Sequence, residues 1–231
     1  MNLFDFLKTK RTAFDRDHEE IQPNLILFEI VTLNDIDANK FVYVVKNRRT
    51  NISNLIENYL MWYAMSNPNS SSIHITKTHN AMRYVADFLQ REDVIEKWDG
   101  KSSDSRVLHL KNGSTIQFDR GNKLTERNNR EFVGQRYNLL VIDEVDFDGF
   151  NLYELTRTFD KMIIIEEPNE RVLKFWEYDN LFKKIAISIG QNYIIGINRI
   201  GRDVYNEWLK TISPFKRIEK EKNGIKKYDN D

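Results

Sequence analysis

The 231-residue chain has no cysteine, which excludes a disulfide framework and any thiolate metal site; a bound metal would sit on oxygen. A reducing compartment fits that absence. Glycine (9) and proline (4) are too scarce for a linker-rich or low-complexity chain, so one continuous folded unit is expected. Charge of one sign is missing as well. Thirty-five basic residues balance thirty-five acidic ones, so no global field draws the chain to nucleic acid, and any DNA contact must be a local patch. No apolar run reaches the ~18 residues of a membrane span, and the charged N-terminus has no signal-peptide core. A soluble, intracellular protein is expected.

What is present alternates between two periods. Short β-rich apolar runs occur at Phe41–Val45, Ser72–Thr76, Leu139–Ile142 and Met162–Ile165. Continuous runs of this kind suit strands buried on both faces of a parallel sheet. Between the first two, Leu55, Ile56, Tyr59, Leu60, Tyr63 and Ala64 recur at helical spacing, predicting a helix over Asn54–Met65. Asn112-Gly113 predicts a hairpin joining Val107–Leu110 to Ser114–Phe118. A second hairpin is expected at Ile185–Ile189 and Tyr193–Asn198. Beyond Pro214 the sequence is charged and poor in apolar residues, which reads as a frayed tail or a cut linker.

The sharpest local signal is Leu139-Leu140-Val141-Ile142-Asp143-Glu144, an apolar strand ending in two carboxylates. In an open α/β sheet, ligands lie beyond the carboxyl ends of the strands, so both acids would be delivered to a site. Asp143 would hold Mg²⁺ and Glu144 would orient an attacking water. The plainer alternative is an acidic helix cap. Before the first helix stands Lys46-Asn47-Arg48-Arg49-Thr50-Asn51-Ile52-Ser53, where a phosphate-binding loop belongs. It lacks the Gly-Lys-Ser/Thr ending. Ser53 still offers a hydroxyl, Lys46, Arg48 and Arg49 offer charge, and Asn51 replaces the glycine as the next residue most tolerant of left-handed backbone. A basic surface turn is the competing local reading.

Together and in this order, these elements resemble the ATPase domain of phage large terminase subunits. The resemblance runs from about Gln22 to Tyr178, through VVKNRRTNISNLIENYL, LKNGSTIQF, EFVGQRYNLLVIDEVDF and KMIIIEEPNERVLKFWEY. It implies an α/β P-loop NTPase of the additional-strand (ASCE, RecA-like) type: a three-layer sandwich with a mainly parallel sheet and edge hairpins. One ATPase domain would occupy residues 1–212, with 1–20 as an arm, and 213–231 a tail; no nuclease domain is expected. By the same resemblance Lys46 matches a displaced Walker A lysine, and Ser53 and Asp143 match the Mg²⁺ ligands. Glu144 matches the catalytic carboxylate, and Gln22 resembles an adenine-reading glutamine. ATP would lie on Lys46 through Ser53, that is Lys46, Asn47, Arg48, Arg49, Thr50, Asn51, Ile52 and Ser53. ATP and Mg²⁺ are the implied cofactors. Double-stranded DNA, a homo-oligomeric ring on a capsid portal and a small terminase subunit are the implied partners, in the host cytoplasm.

The sequence also departs from the family. The coupling turn reads Glu166-Glu167-Pro168-Asn169-Glu170, keeping Pro-Asn but losing the family's hydroxyls and glycine. Glu167, Pro168 and Asn169 are the coupling candidates. Arg130 or Arg136 could serve as an arginine finger, against the simpler reading of both as surface residues. These departures keep open a weakened, ATP- or DNA-binding accessory; a helicase is disfavoured because no second core follows. His18, His74, His79 and His109 lack ligand spacing and read as structural or surface residues. Lys77, Arg83, Lys183 and Lys184 could meet DNA phosphates.

Overall fold

The computed structural model describes residues 1–10, 13–14, 20–21, 27–46, 50–77, 80–100, 105–121, 137–145, 155–167, 181–187, 218–221 and 224–227. In chain order the elements are α1 (Leu3–Lys10), β1 (Ala13–Phe14), β2 (Glu20–Ile21), α2 (Leu27–Ala38), β3 (Phe41–Lys46), α3 (Ile52–Ser66), β4 (Ser71–Thr76) and α4 (Asn80–Arg91). There follow β5 (Ile95–Gly100), β6 (Ser105–Leu110), β7 (Thr115–Arg120), β8 (Tyr137–Asp143), β9 (Phe159–Glu166), β10 (Lys183–Ile187), β11 (Ile218–Glu221) and β12 (Gly224–Lys227).

The four apolar runs expected as strands are β3, β4, β8 and β9, and the expected helix is α3. An eight-stranded sheet runs in the order β10-β3-β9-β8-β4-β7-β6-β5. Pairings from β10 to β7 are parallel, and the β7-β6-β5 edge is antiparallel. This is a mixed α/β fold with a mostly parallel sheet, as expected. β9 lies between the strand that ends at Lys46 and the strand that ends at Asp143, which is the additional strand of the expected topology.

Alternation along the strands divides the core. Val42, Val44, Leu139, Val141, Ile163 and Ile165 pack against buried residues of α1, α2, α3 and α4. Tyr43, Val45, Leu140, Ile142, Met162 and Ile164 are also wholly buried, so both faces of the inner strands are covered, as a three-layer sandwich requires. Polar contacts fix the helix ends. Lys161 Nζ donates to the carbonyls of Ile36 (2.5 Å), Asp37 (3.0 Å) and Asn39 (2.9 Å), closing the C-terminus of α2. Asn112 Nδ2 donates to Ala64 O at 2.9 Å, tying the β6–β7 turn to the end of α3. Gly113 in that turn has φ 83°, and a Cβ there would fall 2.2 Å from Asn69 Oδ1, so only glycine fits.

One expectation is corrected and another is not reached. Ile185 lies on β10, which pairs in parallel with β3, and the other arm of the expected hairpin, 193–198, lies outside the described residues. The charged tail carries an antiparallel pair, β11 with β12. Each strand has a single isoleucine, opposite charges are register partners at Glu219 and Lys226, and Asn-Gly at 223–224 is a turn signal in the sequence.

Candidate nucleotide site

Three of the residues singled out in the sequence end or follow parallel strands on one edge of the sheet. Lys46 closes β3 and Asp143 closes β8, with Glu144 next. By register, Lys46 and Asp143 share the α3 face with Val44 and Ile165. The Lys46 ammonium is ion-paired with Glu144 Oε1, although Lys46 is only 5% exposed. Ser53 Oγ donates to Asp143 Oδ1 at 3.3 Å, joining the first turn of α3 to the end of β8.

The chain reaches α3 through a left-handed residue. Asn51 has φ 61° and ψ 13°, the conformation for which a phosphate loop normally uses glycine and which asparagine tolerates. Its side chain makes no capping bond, and the first helical bond runs from Leu55 N–H to Asn51 O at 3.1 Å. The amides of Ile52, Ser53 and Asn54 therefore precede the helical ladder, where an anion is favoured. Ile52 itself is buried in the core, so only its backbone could face a ligand. Thr50 is buried too, and its hydroxyl has no hydrogen-bond partner among the described residues. Gln22, Asn47, Arg48, Arg49, Arg130, Arg136, Pro168 and Asn169 lie outside the described residues.

Burial sets the electrostatics. Asp143 is pushed up to about 6 by desolvation; Lys46, the Ser53 bond and Lys77 pull it down, while Glu144 pushes it further up. Glu57, one helical turn beyond Ser53, is pushed up to about 8 by burial, with Asp143 adding to the effect. The sequence pattern did not single out Glu57. Its signal was the i, i+4 spacing from Ser53, which places both on one helix face. Nor did it single out Tyr43, whose hydroxyl donates to Glu166 Oε2 at the end of β9. Glu144 carries φ 56°, and its N–H donates to Ile165 O at 2.9 Å, so the turn after β8 is pinned to β9. Glu167 is half-buried.

Oxygen donors from Ser53 and Asp143 suit Mg²⁺, and a divalent cation would relieve the unfavourable charging of a buried Asp143. Among the described residues no three His, Cys, Asp or Glu side chains converge as a metal cage. Of the four histidines, His74 is buried beside Phe118 (5.8 Å between ring centroids), and His109 pairs with Asp99 at 2.7 Å. His18 and His79 lie outside the described residues. Among those residues no helix is long and apolar enough to cross a membrane.

No protein-family model and no curated protein matches the sequence. Solved structures do match the fold, and they are large terminases of phages. The large terminase ATPase domain of Thermus phage P74-26 is 10% identical, covering 79% of this chain and 91% of that domain, with a TM-score of 0.51. A mutant of the same domain gives 0.53, at 10% identity over 79% of this chain and 92% of that one. The large terminase of a thermophilic bacteriophage is 12% identical over 81% of this chain, with a TM-score of 0.50. This chain spans 50% of that protein's length. At such identities the likeness is one of fold.

Proposed function

We propose that the chain is the ATP-hydrolysing motor domain of a phage DNA-packaging terminase. One observation carries the reading: Lys46, Asp143 and Glu144, at the carboxyl ends of buried strands, meet Ser53 in the first turn of α3. The fold likeness to terminase ATPase domains supports it. The first-turn amides of α3 and Lys46 would bind the β- and γ-phosphates. Ser53 and Asp143 would hold Mg²⁺, which when bound supplies neutralisation of phosphate charge. Lys46 has to exchange Glu144 for phosphate, and that exchange frees the Glu144 carboxylate to orient water in line with the γ-phosphorus. The water oxygen bonds to phosphorus, the β–γ bridging P–O bond breaks, ADP leaves with that electron pair, and Glu144 accepts the water proton.

Motor function adds double-stranded DNA, neighbouring copies in a ring on a capsid portal and a small terminase subunit, all in the host cytoplasm. Arg130 or Arg136 would act across a subunit boundary. Glu167, Pro168 and Asn169 would couple hydrolysis to movement. A second reading, an accessory with weak turnover, is favoured by the loop without Gly-Lys-Ser/Thr and by Glu166-Glu167 in the coupling turn.

Steady-state ATP hydrolysis with Mg²⁺, with and without duplex DNA, tests the proposal. Glu144→Gln should lower kcat by about 10²–10³-fold while nucleotide still binds, and Lys46→Ala should weaken both binding and turnover. Nucleotide binding without hydrolysis by the wild type would favour the accessory. Wild-type turnover that survives both substitutions would remove the site from the reaction.

A further inference from the structure

Tyr43 stands in the middle of β3, three residues before Lys46, and is completely buried. Its neighbours in the strand are valines, and packing alone would be met by phenylalanine. The hydroxyl is used: it donates to Glu166 Oε2. Glu166 is 2% exposed and is the register partner of Val45, so Tyr43, Val45 and Glu166 lie on the sheet face opposite Lys46 and Asp143. The ring is held edge-on against Phe182 (6.5 Å between centroids), which also packs on Phe41 at 5.7 Å. A carboxyl at this depth is costly without partners, so the tyrosine bond fixes where the end of β9 sits.

That end is shared with the reaction site. The residue before Glu166 is Ile165, whose carbonyl accepts the Glu144 N–H at 2.9 Å. One strand end therefore meets Tyr43 from β3 on one side and the backbone of Glu144 from β8 on the other.

We propose that Tyr43 is a positioning residue: through Glu166 it holds the end of β9, and so the Glu144 backbone, in register with the strand that carries Lys46. Its part in turnover rests on the motor reading above; its part in holding Glu144 does not. Tyr43→Phe keeps the ring against Phe182 and removes the donor. Its kcat should fall about tenfold or more, with KM and nucleotide affinity within about twofold, because a displaced Glu144 loses alignment and not binding. Glu166→Gln keeps an acceptor for the hydroxyl and should stay within about threefold of wild type, whereas Glu166→Leu should be impaired at least as much as Tyr43→Phe. The double variant should be no worse than Glu166→Leu alone, since that substitution already removes the bond that Tyr43→Phe breaks.

Amide hydrogen exchange gives a readout independent of turnover. In Tyr43→Phe the Glu144 amide should exchange about tenfold faster, while the β4 amides, which report global unfolding, stay unchanged. If Glu144 exchange does not move, or moves only together with β4, the inference is overturned whatever the ATPase result. If the wild type hydrolyses ATP and Tyr43→Phe leaves kcat intact, the inference is overturned while the motor reading stands. If the wild type does not hydrolyse ATP, the motor reading fails and the exchange result alone decides the placement of Glu144.

Discussion

The inner strands and the antiparallel edge of this sheet treat charge in opposite ways. β3, β4, β8 and β9 are buried along nearly their whole length, yet end in Lys46, Thr76, Asp143 and Glu166, all themselves buried. β5 reads Ile-Glu-Lys-Trp-Asp-Gly, and from Glu96 to Gly100 it is exposed. Its charges meet in solvent, Lys97 with Asp99 at 3.1 Å and His109 with Asp99 at 2.7 Å. A charge on a wet edge has little free energy at stake. At the end of a buried strand the same charge is costly unless partners offset it, as Glu144 does for Lys46, Ser53 for Asp143 and Tyr43 for Glu166.

Stability against pH should separate the two regions, and the largest effect is expected at Glu57. Burial raises its folded pKa from 4.5 to about 8, so the folded protein keeps a proton that the unfolded chain releases. Stability is then present below the unfolded value and is lost as pH rises through about 8. Glu57→Gln, neutral and nearly isosteric, should remove that loss and exceed wild type by on the order of 3 kcal/mol above the folded pKa. Urea unfolding at about pH 5 and about pH 9 checks this. A gap between variant and wild type that is the same at both values would mean that Glu57 is already ionised in the fold, and the contrast between inner sheet and edge would weaken.

How much of this was legible follows the same division. The strand ending in Asp143-Glu144 stood out because an apolar run that stops on two acids sets charge at the mouth of a buried strand, where burial alone would not put it. Asn51 could be read as a glycine substitute, and it does adopt the left-handed backbone. The Asn112-Gly113 hairpin was legible from its turn alone. β5 was not: its charged residues give no apolar alternation, and it forms only because β6 offers an edge. The pairing of β10 with β3 was not legible, because local alternation carries no information about a partner far away in sequence. Tyr43 and Glu57 escaped for a related reason. A tyrosine among valines and a glutamate on an amphipathic helix look ordinary until a partner from β9 or β8 arrives.

A smaller effect is expected at His74, in the buried middle of β4. Neither ring nitrogen has a hydrogen-bond partner among the described residues, and burial pushes its pKa down to about 4. As pH falls from about 6.5 to about 4 the unfolded chain takes up a proton that the folded protein refuses, so stability drops across that window. His74→Leu should raise stability by about 1 kcal/mol at neutral pH, since an unsatisfied buried polar group is removed, and by more in mild acid. Thermal unfolding at both pH values measures it; a destabilised variant would mean that the imidazole is satisfied inside the sheet.

The smallest effect belongs to the edge. Asp99 is exposed, and its pKa is lowered first by the hydrogen bond from Lys97, which desolvation opposes, with charge from Lys97 and His109 adding to the lowering. Lys97 is exposed and His109 half-buried at the surface, where salt screens the attraction and the loss of one ion pair is largely recovered by hydration. Asp99→Asn should therefore leave the thermal midpoint within measurement error at low and high salt alike. A clear, salt-sensitive drop would show the β5–β6 edge to be held by its charges, and exposure alone would then no longer separate the edge from the inner strand ends.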